Sequence, residues 1–210
     1  MEILQLCVGM VGTNCYVVYD ETSREAAVID PGDNAKSILK AVQEKNLNVK
    51  YVLLTHAHFD HILAAHEILS ATNAQYVVPE KDTWLLKRNN MGPFRSAAHG
   101  YIEDTPDILA NEGTEITFGG MTAVYMNTPG HTPGSSVIRI GDVLFTGDTL
   151  FRHECGRCDL EGGDFHQMLQ SLARLYNLKG DYKVLPGHEG ISTLEEERQY
   201  NPYMLQAIGR

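Results

Sequence analysis

Four short segments that combine histidine or aspartate with glycine or proline constrain this chain more than any other feature. They are THAHFDHI at 55–62, TPGHTPGS at 128–135, FTGDTLF at 145–151 and LPGHEG at 185–190. Each follows an apolar, strand-like run, and loops at strand ends are common places for binding and catalytic groups. Together the segments offer enough imidazole and carboxylate for two metal ions, in the side chains of His56, His58, Asp60, His61, His131, Asp148 and His188.

The first segment has the most informative spacing. His56 and His58 are two residues apart, so in an extended strand exit their side chains point the same way and can bind one ion. If the chain turns into a helix near Asp60, the side chains of Asp60 and His61 lie on the other side and can begin a second site. A catalytic divalent ion takes three or four protein ligands and keeps a position for water. One segment cannot supply two such sites, so the later segments are needed to complete them.

A histidine taken singly is usually an ordinary surface or core residue, and Pro-Gly and Gly-Asp pairs are common turn signals. The cluster at 56–61 is different because its four titratable side chains stand between the apolar pairs at 53–54 and 62–63. Burying those side chains without metal or hydrogen-bond partners would be costly. The sequence therefore favours a metal site here over a structural cluster.

Length and charge narrow the class of protein. The 210 residues, 43% of them hydrophobic, are compatible with one globular domain over 1–210. No run approaches the roughly 18 apolar residues of a membrane helix, and the N-terminus lacks the pattern of a signal peptide. The net charge of −10, from 17 basic and 27 acidic residues, argues against a nucleic-acid partner. We expect a small-molecule substrate and no membrane or nucleic-acid partner, and the oligomeric state stays open.

The four cysteines, Cys7, Cys15, Cys155 and Cys158, do not form the pattern of a disulfide framework. A cytoplasmic location is the simpler interpretation for a domain of this size. Cys155 and Cys158 form a CxxC pair, which in other settings marks a redox couple or half of a zinc site. No second CxxC accompanies it, so an incidental pairing is favoured over a redox or auxiliary metal role.

In this order, the four segments resemble the metallo-β-lactamase superfamily, and VIDPG at 28–32 matches an early family motif in which Asp30 is a structural support. Within the superfamily, TPGHTPGS, FTGDTLF, LPGHEG and CGR at 155–157 resemble glyoxalase II, the hydroxyacylglutathione hydrolases. More specifically, GRCDLEGGD at 156–164 and STLEEERQYNP at 192–202 are similar to short, single-domain bacterial glyoxalase II-like proteins.

The resemblance implies a centre of two divalent metal ions. Zinc is the expected metal and iron or manganese are alternatives, since imidazole and carboxylate bind all three. The first ion is assigned to His56, His58 and His131, the second to Asp60, His61 and His188, with Asp148 as the bridge. Asp60 and Asp148 are thus the catalytic carboxylates. The implied nucleophile is a metal-bound hydroxide, formed because the bound water has a pKa lowered to about 7.

The implied substrate is a thioester, possibly derived from glutathione, such as S-lactoylglutathione. Arg157 in the CGR segment corresponds to a basic contact with the glutathione part. The aromatic residue that follows in larger relatives is not matched, and only a short segment follows His188, so the C-terminal helical domain of glyoxalase II is not expected. His153, where relatives carry small residues, is a candidate to line the entrance and contact the substrate, and a solvated loop histidine is the alternative.

Three classes of function remain open. The first is a hydrolase of the glyoxalase II type or a close relative such as a lactonase. The second is an oxidoreductase similar to persulfide dioxygenase, with one iron bound by His56, His131 and Asp148, a ligand set that suits ferrous iron. The third is a binding or structural protein that keeps the metals for stability, which is disfavoured because every expected ligand type is present.

Hydrophobic patterning predicts strands and helices throughout the chain. Strands are expected at 2–8, 14–19, 25–30, 49–54, 75–79, 114–118, 121–127, 136–140, 142–146 and 182–185, and helices at 35–46, 62–70, 80–89 and 165–177. A last helix begins with a capping box formed by Thr193 and Glu196. Met91 to Gly100 is expected to be a loop, and the stretch around Lys81 and Lys87 a solvated helix face. The implied fold is α+β, an αββα sandwich of two mixed sheets flanked by helices.

Overall fold

The computed structural model describes residues 1–89 and 101–210, so the loop predicted between Met91 and Gly100 lies outside the described residues. The strands are β1 (Glu2–Val8), β2 (Thr13–Tyr19), β3 (Glu25–Ile29), β4 (Asn48–Leu53), β5 (Gln75–Pro79), β6 (Ile108–Ala110), β7 (Glu115–Phe118), β8 (Met121–Asn127), β9 (Ser136–Ile140), β10 (Val143–Gly147), β11 (Leu150–Phe151), β12 (Glu154–Cys155), β13 (Lys183–Pro186) and β14 (Ser192–Thr193). The helices are α1 (Ala35–Glu44), α2 (Ala65–Thr72), α3 (Thr83–Arg88), α4 (Phe165–Tyr176), α5 (Leu194–Tyr200) and α6 (Pro202–Ala207).

Two mixed sheets form the centre of the molecule. The first has the strand order β1-β2-β3-β4-β5-β6, antiparallel from β1 to β3 and parallel from β3 to β6. The second has the order β14-β13-β10-β9-β8-β7, in which only β10 and β13 pair in parallel among the described strands. A separate hairpin joins β11 to β12.

Alternation of side chains along the strands divides the core into layers. In β2, Tyr16 and Val18 face the second sheet, whereas Val17 and Tyr19 face the opposite side of the first sheet. The ring of Tyr16 meets that of Phe145 from β10 edge-on across this interface, with centroids 5.3 Å apart. The residues buried between the sheets therefore join them into one sandwich.

Helices cover both outer faces. Ile38 of α1 and Ile68 of α2 are fully buried against the first sheet, as are Met168 of α4, Leu194 of α5 and Met204 of α6 against the second. The result is the predicted α+β fold, an αββα sandwich. No helix in the described ranges has the length and apolar character that crossing a bilayer requires.

Local differences from the predicted elements have local causes. The chain after His58 forms a 3-10 turn over Phe59–His61, which delays the start of α2 to Ala65. The last predicted helix is two helices, because Asn201 is extended and caps α6 at Tyr203 while Pro202 occupies its first position. Asp82 was expected on a solvated face, but its side chain is fully buried. The single-domain assignment stays a prediction.

Candidate metal centre

The four sequence segments lie at the ends of four strands. THAHFDHI follows β4, TPGHTPGS lies between β8 and β9, the aspartate of FTGDTLF follows β10, and the histidine of LPGHEG follows β13. β10 and β13 are parallel neighbours in the second sheet, and β4 belongs to the first, yet the carboxyl ends of all three strands lie at one place. There the structure brings together all seven side chains that the sequence singled out.

The first group consists of His56, His58 and His131. One nitrogen of each ring lies within 4.8 Å of the other two, and all three side chains are buried. Nδ1 of His58 is 2.8 Å from Nε2 of His131, and the ring of His56 lies edge-on to both, with centroids 5.0 and 4.8 Å away. Three imidazole nitrogens thus lie close together, in the group that the family resemblance assigned to the first ion.

The second group consists of Asp60, His61 and His188. Oδ2 of Asp60 lies 3.3 Å from Nε2 of His188 and 3.8 Å from Nε2 of His61. The 3-10 turn at Phe59–His61 creates this arrangement, since it turns Asp60 and His61 away from the extended exit that carries His56. The change of direction matches the one predicted near Asp60.

Asp148 lies between the two groups. Its Oδ1 is 3.3 Å from Nε2 of His61, and its Oδ2 is 3.4 Å from Nε2 of His131 and 3.6 Å from Nε2 of His188. One carboxylate therefore contacts side chains of both groups.

Hydrogen bonds behind the rings fix which nitrogen faces the centre. Nδ1 of His61 contacts Oδ2 of Asp30 at 3.0 Å, and Nδ1 of His131 contacts the carbonyl oxygen of Arg157 at 2.7 Å. Asp30 also accepts hydrogen bonds from the backbone N–H and hydroxyl of Thr55, at 2.8 and 2.6 Å. Such outer contacts hold a ligand's tautomer and ring orientation. They also agree with the supporting role expected for Asp30.

Asp82 is a second buried carboxylate that sequence reasoning missed. Its oxygens accept from the backbone N–H of Ala57 at 3.2 Å, the hydroxyl of Thr132 at 2.7 Å and the backbone N–H of Gly134 at 2.7 Å. It therefore ties the His56–His58 exit to the loop that carries His131. A charged residue in a mixed basic and acidic stretch gives no signal of this role.

Asn14 is a further missed residue, on the first sheet. Its side-chain amide donates to the carbonyl oxygens of Pro186 and Glu189, at 3.1 and 3.0 Å, and so holds the loop that carries His188. The hydroxyl of Tyr16 donates to the same Pro186 oxygen at 2.7 Å. These contacts join residues 170 to 175 positions apart in the sequence, so local patterns could not reveal them.

The electrostatics around His56, His58 and Asp148 favour the protonation states in which these groups bind a metal. Burial holds the pKa of His56 well below its usual value and lowers that of His58 to about 3, with a further contribution from His131. Burial alone would raise the pKa of Asp148, but His61 and His131 beside it hold that pKa well below the usual range. Metals bind neutral imidazole and ionised carboxylate, which are the forms these shifts favour at neutral pH.

His61 and His188 show the opposite shift. Burial opposes protonation of both rings, yet carboxylates around them raise the pKa of each, with Asp148 the largest contributor for His61 and Asp60 for His188. These two rings lie where negative charge is concentrated. A divalent cation would balance the same carboxylates.

The donor set fits a divalent metal ion. Nε2 of His56 is buried and makes no hydrogen bond within the part of the chain that the structure describes. Buried polar atoms are rarely left without a partner, and an unseen ion is a recognised explanation. Imidazole and carboxylate groups in this arrangement are compatible with zinc, iron or manganese.

The centre opens into a cleft of about 380 Å³. The cleft is lined by Val11, His58, Phe59, Asp60, His131, Asp148, Phe151, Arg157, Leu160 and His188. Its apolar walls, with ionisable side chains at the centre and Arg157 in the lining, suit a small organic molecule.

The structure places the two predicted substrate contacts differently. Arg157 lines the cleft, with its exposed guanidinium paired to both oxygens of Asp159 at 2.7 Å. His153 is not among the lining residues; its Nε2 is 3.0 Å from Oε1 of Glu196, and its ring lies beside Tyr200. The substrate contact predicted for His153 therefore lacks support from its position.

The CxxC cysteines are free thiols, as are the other two cysteines. Burial raises the pKa of Cys155 to about 12 and that of Cys158 to about 11, so neither is activated as a thiolate at neutral pH. None of the metal-binding clusters found among the described residues includes a cysteine. A redox role for the pair gains no support from this environment.

Comparisons with known proteins agree with the geometry. The hydroxyacylglutathione hydrolase GloC of Haemophilus influenzae is 32% identical, over 91% of this chain and 92% of that protein. The crystal structure of the B3 metallo-beta-lactamase BLEG-1 matches with a TM-score of 0.87 and 31% identity, covering 97% of this chain and 99% of the other. The crystal structure of ETHE1 from Myxococcus xanthus matches with a TM-score of 0.80 and 30% identity, covering 96% and 84%.

The sequence model of the metallo-beta-lactamase superfamily matches residues 8–188, a range that contains all seven clustered side chains. Fold, site and match agree with one another. The chain belongs to the metallo-beta-lactamase superfamily of metal-dependent hydrolases.

Proposed function

We propose that this protein hydrolyses a thioester, with glutathione thioesters such as S-lactoylglutathione as the substrate class, at a centre of two divalent ions. The observation that carries the proposal is the position of Asp148, whose two oxygens contact His61 on one side and His131 on the other. A carboxylate placed between two groups of three ligands supports a dinuclear centre. The likeness to GloC supports the substrate class.

In this proposal His56, His58 and His131 hold the first ion, and Asp60, His61 and His188 the second. Bound divalent ions lower the pKa of a water and polarise a carbonyl oxygen, the two effects that thioester hydrolysis needs. Zinc is the proposed metal, with iron or manganese as alternatives.

The protein's own groups hold and shape the reaction site. Asp30 and Thr55 keep the ring of His61 oriented, and the Arg157 carbonyl does the same for His131. Val11, Phe59 and Phe151 provide apolar walls for the acyl part of the substrate. Fixed orientation of this kind reduces the reorganisation needed to reach the transition state.

Arg157 is the proposed contact for the anionic part of the thiol. In the free protein its guanidinium is held by Asp159, two residues further along, at the edge of the cleft. A substrate carboxylate can replace Asp159 because any carboxylate offers the guanidinium of Arg157 the same two oxygens in one plane. The exchange is between exposed groups and is expected to affect substrate selection more than the chemical step.

A second candidate is a persulfide dioxygenase-like oxidoreductase with one iron at His56, His131 and Asp148. The structural likeness to ETHE1 is compatible with it. The contacts among Asp60, His61 and His188 favour the hydrolase, since a mononuclear centre does not need that second group.

Metal content and activity together separate the two functions. The protein, purified without added metal, is analysed for metal and then assayed with S-lactoylglutathione and with glutathione persulfide under oxygen. Two ions per chain with thioester cleavage are the expected result. One iron per chain with oxygen uptake would overturn the proposal.

Variants then test the assigned roles. Asp60→Ala is expected to remove one metal and most hydrolysis, whereas dioxygenase chemistry would survive it. Arg157→Ala is expected to raise KM for glutathione thioesters and leave the metal content unchanged. Arg174→Ala is the matched control, since Arg174 forms a similar two-point pair with Glu112, outside the set of residues that lines the cleft. An unchanged KM in Arg157→Ala would refute the glutathione assignment.

A further inference from the structure

A second cluster of metal-ligand side chains lies outside the centre described above. It consists of His153, in the turn between β11 and β12, and of Glu196 and Glu197 in the first turn of α5. A ligand atom from each residue lies within 4.8 Å of the other two. This cluster shares no residue with the two groups joined by Asp148.

The spacing of one pair of ligand atoms suits a shared ion, and the third ligand atom lies within 4.8 Å of both. Nε2 of His153 is 3.0 Å from Oε1 of Glu196. Two atoms bound to one zinc ion at about 2.0–2.2 Å lie roughly 3.0–3.6 Å apart. One imidazole and two carboxylates make three protein ligands, with a position left for water.

Glu197 provides the independent observation. Its side chain is fully buried, and its Oε2 accepts hydrogen bonds from the backbone N–H of His153 at 2.9 Å and the side chain of Asn201 at 2.8 Å. Its Oε1 is also buried but makes no hydrogen bond among the residues described. A buried, unpaired carboxylate oxygen is costly, and an unseen ion is one of the few explanations for it.

The cluster also has more carboxylates than cationic side chains, which favours binding of a cation. The cluster contains two carboxylates. Among the described contacts, Arg152 is the one arginine or lysine paired with them, and its Nε lies 3.1 Å from Oε1 of Glu196. Arg152 is more than half exposed and can move into solvent. A divalent ion would neutralise both carboxylates and reach the buried one, which Arg152 does not contact in this structure.

We propose that His153, Glu196 and Glu197 form a separate binding site for a divalent cation, with Zn²⁺ as the best-matched ion. The site would join the β11–β12 hairpin to α5. That hairpin begins two residues after Asp148 and ends two residues before Arg157. An ion bound there would stiffen the segment between the bridging carboxylate and the proposed substrate contact.

Counting ions per chain by native mass spectrometry tests the site. The wild-type chain is compared with His153→Ala and with His166→Ala, which removes an exposed histidine hydrogen-bonded to Gln170 on α4. At micromolar free Zn²⁺, wild type and His166→Ala are expected to carry one zinc ion more than His153→Ala. Equal counts in all three would overturn the proposal. The difference does not depend on how many ions the main centre holds, so failure here is separate from failure of the proposed function.

Hydrogen exchange gives a second test that needs no activity assay. Adding Zn²⁺ to protein whose main centre is already loaded is expected to slow exchange in the β11–β12 hairpin and α5 of wild type. If His153→Ala does not fold, Glu196→Gln serves instead, because Glu196 is partly exposed. Arg152→Ala is expected to bind the extra ion more tightly by removing the competing cation. Slowing that persists in His153→Ala or Glu196→Gln, or weaker binding in Arg152→Ala, would contradict the assignment.

Discussion

Gly187 shows how closely single residues are fitted around the metal centre. A Cβ atom at this position would lie 2.4 Å from Oδ1 of Asp148 and 2.7 Å from Cε1 of His61. Both are proposed ligand side chains, and both are buried. The glycine in LPGHEG is therefore required by the close approach of two proposed ligands.

We predict that Gly187→Ala lowers both metal affinity and activity. The added methyl group displaces Asp148 or His61, and a displacement of about 1 Å in a catalytic group can reduce the rate roughly a hundredfold. Gly190→Ala is the matched control, since a Cβ there meets only Cδ of Arg152, at 3.9 Å. Metal analysis and kcat/KM measured on both variants check the prediction. Equal activity in the two variants would contradict it.

Asp30 supports the centre from behind, and we predict that Asp30→Asn destabilises the protein and weakens metal binding. The two oxygens of Asp30 contact three groups, the backbone N–H and the hydroxyl of Thr55 and Nδ1 of His61. An amide has only one acceptor oxygen, so at least one of these buried groups loses its partner. Such a loss lowers the free energy of unfolding by about 1–3 kcal/mol. Loss of an outer partner typically lowers metal affinity by about 10- to 100-fold. Denaturant unfolding and metal titration measure the two effects, with the exposed Asp142→Asn as control. Wild-type values for both quantities would disprove the role of Asp30.

At the residue scale, the sequence predicted the residues whose chemistry is local. His56, His58, Asp60 and His61 stand in one segment, so their types and spacing were sufficient to indicate a metal site. Asp82 was interpreted as solvated because its neighbours in sequence are charged. Its actual partners come from segments 25 to 52 residues away, and such contacts leave no local pattern.

At the scale of elements, α4 supports the loop that carries His131. The backbone N–H of Asp164 donates to the carbonyl oxygen of Gly130 at 2.8 Å, and Ser171 donates to that of Pro129 at 2.7 Å. Gly130 has a φ of 146°, and a Cβ there would lie 2.5 Å from the backbone of Met168. The loop therefore rests directly on the first turns of the helix.

We predict that Asp164→Ala weakens metal binding as well as α4. The Asp164 side chain caps the helix by accepting from the backbone N–H groups of His166 and Gln167, at 2.9 and 3.1 Å. Without the cap, the first turn frays and the Gly130 loop loses its support. Thr193→Ala is the matched control, because Thr193 caps α5 through Glu196 at 3.1 Å and its loss costs about 1 kcal/mol.

Both variants are expected to lower the unfolding midpoint, and only Asp164→Ala is expected to lower zinc affinity at the main centre. Midpoints from thermal unfolding and zinc titrations separate the two effects. If the two variants lose equal zinc affinity, the proposed link between α4 and His131 is wrong.

Long strands and helices could be predicted from the sequence, and very short ones could not. Strands such as β1 and β8, with seven residues each, have enough periodicity to be recognised. The short strands β6 and β14 were missed because each is defined by its pairing, with β5 and β13 respectively. The capping hydrogen bond predicted at Thr193 is confirmed, whereas the Glu196 side chain contacts Arg152 and His153.

At the scale of the whole molecule, the sandwich explains why distant segments meet. The seven clustered side chains come from strand ends in both sheets, and Asn14 and Tyr16 of the first sheet hold the β13 loop of the second. Hydrophobic patterning predicted most strands and helices but could not specify how the two sheets face each other. That arrangement was predicted through the family resemblance, since packing between sheets depends on contacts that no single segment encodes.

Because the centre joins both sheets, metal binding should stabilise the entire fold, and we predict a large fall in Tm on chelation. An ion at about a thousand times its Kd stabilises the native state by about 4 kcal/mol, which for a chain of this size corresponds to roughly 8–16 °C. Calorimetry of the zinc-loaded protein with and without EDTA measures the shift. Asp148→Asn is expected to lose most of it, and His153→Ala only a small part, because Asp148 contacts both groups of the main centre. A Tm that does not respond to EDTA would show that the clustered side chains do not hold a metal that stabilises the fold.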